Sequence, residues 1–151
     1  MSELDERVTA RKADYEACFG CGSRNPIGIH IAGFEAIEGG YAASFTPLRE
    51  HRGFEGVLHG GIVATALDEM LAWTATLEED TFVFTGKLEL RYRAPAPSSG
   101  LYRLRGFLDE RRGRRLLLHG DCRTEAGTVV AEASGLYLAT EVDTATLAPI
   151  T

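Results

Sequence analysis

His59-Gly60-Gly61 stands immediately before an apolar run, and Asp68 lies eight residues beyond the first of the two glycines. The first amides of a helix have no intrahelical acceptor and sit at its positive dipole end, so they can stabilise a developing oxyanion. Glycines at that point let a ligand approach without side chains in the way. Tight packing of the helix entry explains a Gly-Gly pair equally well. Asp68 is ringed by Ala66, Leu67, Met70 and Leu71, where a carboxylate is costly unless partnered or used. It could take a proton from water or attack a carbonyl. Glu69 is the rival carboxylate, turned away by about 100° on a helix of 3.6 residues per turn.

Those residues require a helix. Over Gly60 to Glu78 the sequence is apolar nearly all round, which signals burial rather than a surface helix. Thr65, Asp68, Glu69 and Thr76 fall near one narrow stripe of it. Before it, Ile27, Ile29 and Ile31 alternate through a strand to Ile37, and Gly39-Gly40 turns the chain into a second strand over Tyr41 to Phe45. Pro47 to Gly56 lacks periodicity and reads as a loop over the site. After the helix, Phe82 to Ala94, Leu101 to Asp109, Arg115 to Glu125 and Val129 to Thr140 read as strands separated by short turn signals. Links this short demand antiparallel pairing. An α+β architecture follows, a curved antiparallel sheet of about six strands wrapped around one long central helix.

The chain has 151 residues, a size suited to one core. Residues 1–17 are expected as an N-terminal extension with a short frayed helix, 18–142 as the single domain and 143–151 as a C-terminal tail. A net charge of −6 argues against nucleic-acid binding, which needs a basic surface. The apolar stretch from Ile62 to Leu77 is interrupted by Thr65, Asp68, Glu69, Thr74 and Thr76, so no membrane span is expected. Glu3, Asp5 and Glu6 carry the wrong sign for a secretory n-region, and a cytoplasmic protein is expected. Arginines gather in the second half, where Arg111 to Arg115 read as a charged hairpin turn or as a patch for a polyanionic ligand. Cys18 and Cys21 form a C-x-x-C that could be half of a zinc site. Its second half would have to come from Cys122 and a scattered histidine, and it is not followed by the helix a redox motif opens. A structured turn is the preferred reading, with no metal and no cofactor.

The run Gly56-Val57-Leu58-His59-Gly60-Gly61-Ile62-Val63-Ala64-Thr65-Ala66-Leu67-Asp68-Glu69 resembles the hotdog-fold thioesterases of the phenylacetate-pathway and mitochondrial acyl-CoA thioesterase type. The resemblance extends to Cys18-Phe19-Gly20-Cys21-Gly22, to Asn25-Pro26-Ile27-Gly28 and to the strand from Leu88 to Pro97. It implies the hotdog fold and hydrolysis of an acyl-CoA thioester. In that reading the Gly60 amide binds the carbonyl oxygen, Asp68 is general base or nucleophile, His59 orients the loop and Thr85 helps position water. Gly61 and Glu69 would line the substrate. Gly53 departs from relatives that carry Asn or Gln there.

Gly60 and Asp68 lie about 12 Å apart along one helix axis at 1.5 Å per residue, too far to touch one carbonyl. If both serve one reaction, Asp68 comes from a second subunit, which makes a homodimer, or a homotetramer as a dimer of dimers. Strand alternation places Thr85, Lys87, Glu89, Arg91 and Arg93 on one face. Arg91 lies about 20 Å along from Thr85 at 3.3 Å per residue, and it and Arg93 would then meet coenzyme A phosphates; snorkelling on a sheet edge is the plainer alternative. Two rival functions remain: a non-catalytic acyl-CoA or aromatic-ligand binding protein, and a hotdog enoyl-CoA hydratase. The hydratase motif fits poorly, because Ser23 stands where an Asp is needed and Gly28 is inserted.

Overall fold

In the computed structural model, residues 1–140 are described. The elements run α1 (Glu3–Lys12), β1 (Ala32–Ile37), β2 (Gly40–Phe45), a 3-10 turn at Arg49–His51, α2 (Gly60–Glu79), β3 (Phe82–Tyr92), β4 (Tyr102–Arg112), β5 (Arg115–Thr124) and β6 (Val129–Thr140). All six strands form one antiparallel sheet in the order β1-β2-β4-β5-β6-β3. The helix α2 lies on the inner face, chiefly over β4 and β5. Its Ala66, Leu67, Met70, Leu71 and Ala75 are wholly buried, which is why the sequence is apolar around most of its circumference.

Close approach of helix and sheet is set by two inward-facing glycines. A Cβ on Gly106 would lie 2.2 Å from Thr74 Oγ1, and one on Gly120 would lie 2.2 Å from Arg105 O and 2.9 Å from Leu71 Cδ2. A side chain at Gly106 would strike α2 itself, whereas one at Gly120 would strike first the carbonyl of the paired strand, so α2 can sit this low because position 106 carries no side chain, and glycine at 120 spares the β4–β5 backbone.

The outer face has a different chemistry. Asp121 accepts from Arg105 Nε at 3.0 Å and from Arg123 at 3.1 Å, Arg93 donates to Glu132 at 3.0 and 2.7 Å, and Arg103 pairs with Glu35. His119 stacks on Phe107 with ring centroids 4.9 Å apart. The hairpin reading of Arg111 to Arg115 holds: Gly113, at φ 59, turns β4 into β5.

Two expectations change. The alternation at Ile27, Ile29 and Ile31 is not a strand, since β1 begins at Ala32. Ile29 and Ile31 are buried all the same. Their amides donate to Phe19 O at 2.7 Å and Gly20 O at 3.0 Å, so this segment pairs with the C-x-x-C loop instead of the sheet. The N-terminal helix is also not frayed. Ser2 and Asp5 close a reciprocal cap at its start, Arg7 donates to Leu77 O at 2.6 Å, Lys12 donates to Ile31 O at 2.8 Å, and Tyr15 meets Trp73 edge-on. The expected tail, 143–151, lies outside the described residues, as do 141 and 142.

Candidate active site

The loop before α2 is ordered by a buried histidine. The imidazole of His51 accepts the Leu48 amide at Nδ1 (3.0 Å) and donates from Nε2 to Ile27 O (2.8 Å), so the proton resides on Nε2. His51 O in turn receives the His59 amide at 3.0 Å. His59 is the N-cap of α2, and its Nδ1 accepts the Gly61 amide at 2.9 Å. The Gly61 N–H is thereby occupied, while the Gly60 N–H has no acceptor among the described residues. Tyr92 OH donates to Gly60 O at 2.7 Å from below. A Cβ at Gly60 would meet nothing nearer than Tyr92 Oη at 3.5 Å. Packing within the chain therefore does not demand a glycine there. Gly53 sits beside this corner, where a Cβ would lie 3.1 Å from His59 Cα.

Two turns further along α2, half-buried Asp68 faces β3 and β6. Its Oδ1 accepts from Thr85 Oγ1 at 2.8 Å and from Tyr137 OH at 2.8 Å. Its second oxygen receives no donor among the described residues. Tyr137 is fully buried. Burial, and then the charge of Asp68, push its phenol far above the usual range, so it remains an O–H donor. Thr85, expected to help position water, is thus hydrogen-bonded to Asp68, and the sequence reading did not anticipate Tyr137 or Tyr92. A buried tyrosine hydroxyl must find a partner, but nothing in the sequence says which.

Glu69 goes elsewhere. Its Oε1 lies 3.6 Å from Cys18 Sγ, and burial followed by the nearby Cys18 charge pushes its carboxyl up to about 8. A hydrogen bond from Cys21 favours the thiolate on Cys18 and holds the proton on Cys21. Cys122, buried on β5, takes no part in this group.

The shared face expected for Thr85, Arg91 and Arg93 is corrected by a bulge. Thr85 pairs with Tyr137 but Lys87 pairs with Leu136, so Gly86 is an extra residue and the strand turns over. Thr85, Leu88 and Leu90 face inward, with the leucines packed against the core. Arg91 and Arg93 face outward, over an open hollow of about 690 Å³ that Glu89, His119, Glu132 and Ser134 also line. Arg93 is engaged by Glu132, while Arg91 has no ion-pair partner among the described residues.

No family model matches the chain. A Bos taurus acyl-coenzyme A thioesterase is 31% identical over 88 residues, 58% of this chain; the chain spans about a third of that relative's length (35%). Among solved structures, a thioesterase superfamily protein superposes with a TM-score of 0.69 at 29% identity, covering 78% of this chain and 60% of the other. A phenylacetic acid degradation-related protein of Ralstonia eutropha gives 0.64 at 25% identity, covering 73% and 85%. A Streptococcus mutans protein bound to acetyl CoA gives 0.64 at 14% identity, covering 73% and 86%, a likeness of fold alone. The six-stranded antiparallel sheet wrapped on one helix is the hotdog fold. The chain is similar in fold and sequence to proteins of the thioesterase superfamily built on it.

Proposed function

We propose that the protein hydrolyses an acyl-CoA thioester to the free acid and coenzyme A. The observation that carries this reading is Asp68: one carboxylate oxygen is held by two hydroxyl donors, from Thr85 and Tyr137, and the other is left to act. That arrangement fixes the rotamer without consuming the reactive atom. The free Gly60 amide at the positive end of α2 supplies the oxyanion donor, and the glycine keeps its surroundings open to substrate. His59 holds the neighbouring amide in place. Water activated by Asp68, or the carboxylate itself, attacks the carbonyl, and the thiolate of coenzyme A departs. The 31% identity to an acyl-coenzyme A thioesterase supports this substrate class.

The spacing of Gly60 and Asp68 on one helix makes the site composite, so the active species is a homodimer. In support, β3 is an edge strand of 11 residues paired, among the described residues, only to β6, with Phe84 and Tyr92 exposed. A long open edge of that kind invites pairing with a second copy. Substrate phosphates would have to pass around this edge to reach Arg91 on the outer face. Cytoplasmic location belongs to the same reading; among the described residues no helix is long and apolar enough to cross a membrane.

Release of free thiol from a panel of acyl-CoAs tests the activity. If none is cleaved yet several bind, the hydrolase reading falls and a binding protein replaces it. Subunit mixing tests the composite site. Proline is tolerated at the first helical position and has no N–H, so Gly60→Pro removes the donor while sparing α2. Gly60→Pro and Asp68→Asn should each be inactive, and an equimolar exchanged mixture should recover about a quarter of wild-type activity. No recovery after verified exchange would place both residues of a site in one chain.

A further inference from the structure

We propose that Cys18, Cys21 and Glu69 form a binding site for a thiophilic divalent cation, Zn²⁺ being the best match, with a fourth coordination position open to solvent. One ligand atom from each residue lies within 4.8 Å of the other two. Around a tetrahedral zinc, with bonds of about 2.3 Å to sulfur and about 2.0–2.2 Å to oxygen, neighbouring ligand atoms sit roughly 3.5–3.8 Å apart. The Cys18 Sγ to Glu69 Oε1 separation of 3.6 Å already falls there. The missing half of the C-x-x-C site is therefore supplied by a helix carboxylate, not by Cys122 or a histidine.

The surroundings are built for this group. A Cβ on Gly20, between the two cysteines, would lie 1.9 Å from Glu69 Cγ and 2.2 Å from Cδ; only glycine lets that carboxylate reach the sulfurs. The backbone at Gly20 and Cys21 lies near the Cys18 sulfur and Trp73 near that of Cys21, a surround of the kind that orients metal ligands. Two thiolates, one carboxylate and Zn²⁺ carry a net charge of −1. Lys12, half-buried and within electrostatic reach of all three ligands, balances it. Thiolate ligands select zinc over magnesium or calcium. The cluster opens into a cavity of about 190 Å³ shared with Tyr15, Trp73 and Phe82, which gives water access to the fourth position. Such an ion would clamp the N-terminal loop to α2. This reading is independent of the thioesterase proposal, because Asp68 is not among the ligands.

The test uses the full chain, reduced and stripped of metal, with Co²⁺ and Zn²⁺ as probes. One equivalent of Co²⁺ should give a sulfur-to-cobalt charge-transfer band and the intense visible bands of a tetrahedral ion, displaced by Zn²⁺. Cys18→Ser and Cys21→Ser should each weaken Zn²⁺ binding by about 100-fold or more in chelator competition, and Glu69→Gln by about 10-fold or more, since even outer-shell losses cost 10–100-fold. Cys122→Ser should bind as wild type, and circular dichroism separates lost ligands from lost fold. Absence of the charge-transfer band in the folded, fully reduced wild type overturns the site. So does binding that survives in a Cys18→Ser, Cys21→Ser double variant.

Discussion

The inner and outer faces of the sheet are made by the same strands, yet they solve opposite problems. Inside, α2 presses on Gly106, Gly120, Leu104 and Leu118, and the carboxylate of Asp68 is held among apolar neighbours by two uncharged hydroxyls. Outside, carboxylates such as Asp121 and Glu132 are met by arginines. A guanidinium would neutralise its partner and quench a base. Neutral O–H donors orient a carboxylate and leave its charge available, so the contrast teaches which face can do proton chemistry.

The sharpest way to break that contrast is Asp68→Asn, which keeps shape and removes the charge. Turnover should fall by about 10²–10⁴-fold with little change in midpoint of thermal unfolding; a variant hydrolysing at the wild-type rate would strip the inner face of its assigned chemistry. Tyr137→Phe should lower turnover by roughly 10–100-fold, the value of one hydrogen bond to a charged group, about 1.5–3 kcal/mol. Steady-state kinetics showing an unaltered rate would leave Thr85 as the sole orienting donor. Gly120→Ala should destabilise by about 1–3 kcal/mol through overpacking against the Arg105 carbonyl and, beyond it, Leu71, read from urea unfolding; a loss under 0.5 kcal/mol would mean that the strands and helix can part to admit a methyl group.

Asp121→Asn gives the smallest effect and the most diagnostic pH dependence. Burial alone would raise the Asp121 carboxyl, but hydrogen bonds from Arg105 and Arg123 outweigh it and hold the group below its ordinary 3.8. A depressed folded value stabilises the protein above pH 3.8 and loses that contribution as pH falls through the folded value. Wild type should exceed Asp121→Asn by about 1–2 kcal/mol at neutral pH, between exposed and buried pairs. The gap should close in acid. A gap constant with pH would assign the effect to packing.

Periodicity made most of the fold readable. The helix was expected over Gly60 to Glu78 and runs to Glu79, and four strands after it fall close to their expected bounds. Ile27 to Ile31 misled because alternating burial also arises when an irregular segment pairs with a loop, here through Phe19 and Gly20 carbonyls. In the site, His59, Gly60 and Asp68 were legible from local spacing, and Thr85 from the resemblance. Tyr137 was not, because its tie to Asp68 spans 69 residues. Nor was the split between Asp68 and Glu69. One step along the helix sends the first to two hydroxyls and the second to two sulfurs, and only the packed positions of β6 and the Cys18 loop decide it.

The extra residue at Gly86 acts as a phase shift in the chain. Upstream of it, odd-numbered Thr85 points at the helix; downstream, even-numbered Leu88 and Leu90 do. Deleting that one glycine would leave Thr85 and Lys87 opposite consecutive residues of β6 in unbroken alternation, so Thr85, Leu88 and Leu90 would keep facing the helix without a bulge; closing the bulge with the glycine retained would instead turn Lys87, Glu89 and Arg91 inward. A chain one residue shorter between Thr85 and Leu88 could therefore match this one in every flanking letter and present the same side of β3 to its helix with a regular strand. Sequence comparisons across this strand carry meaning for the site only when the gap falls at the bulge.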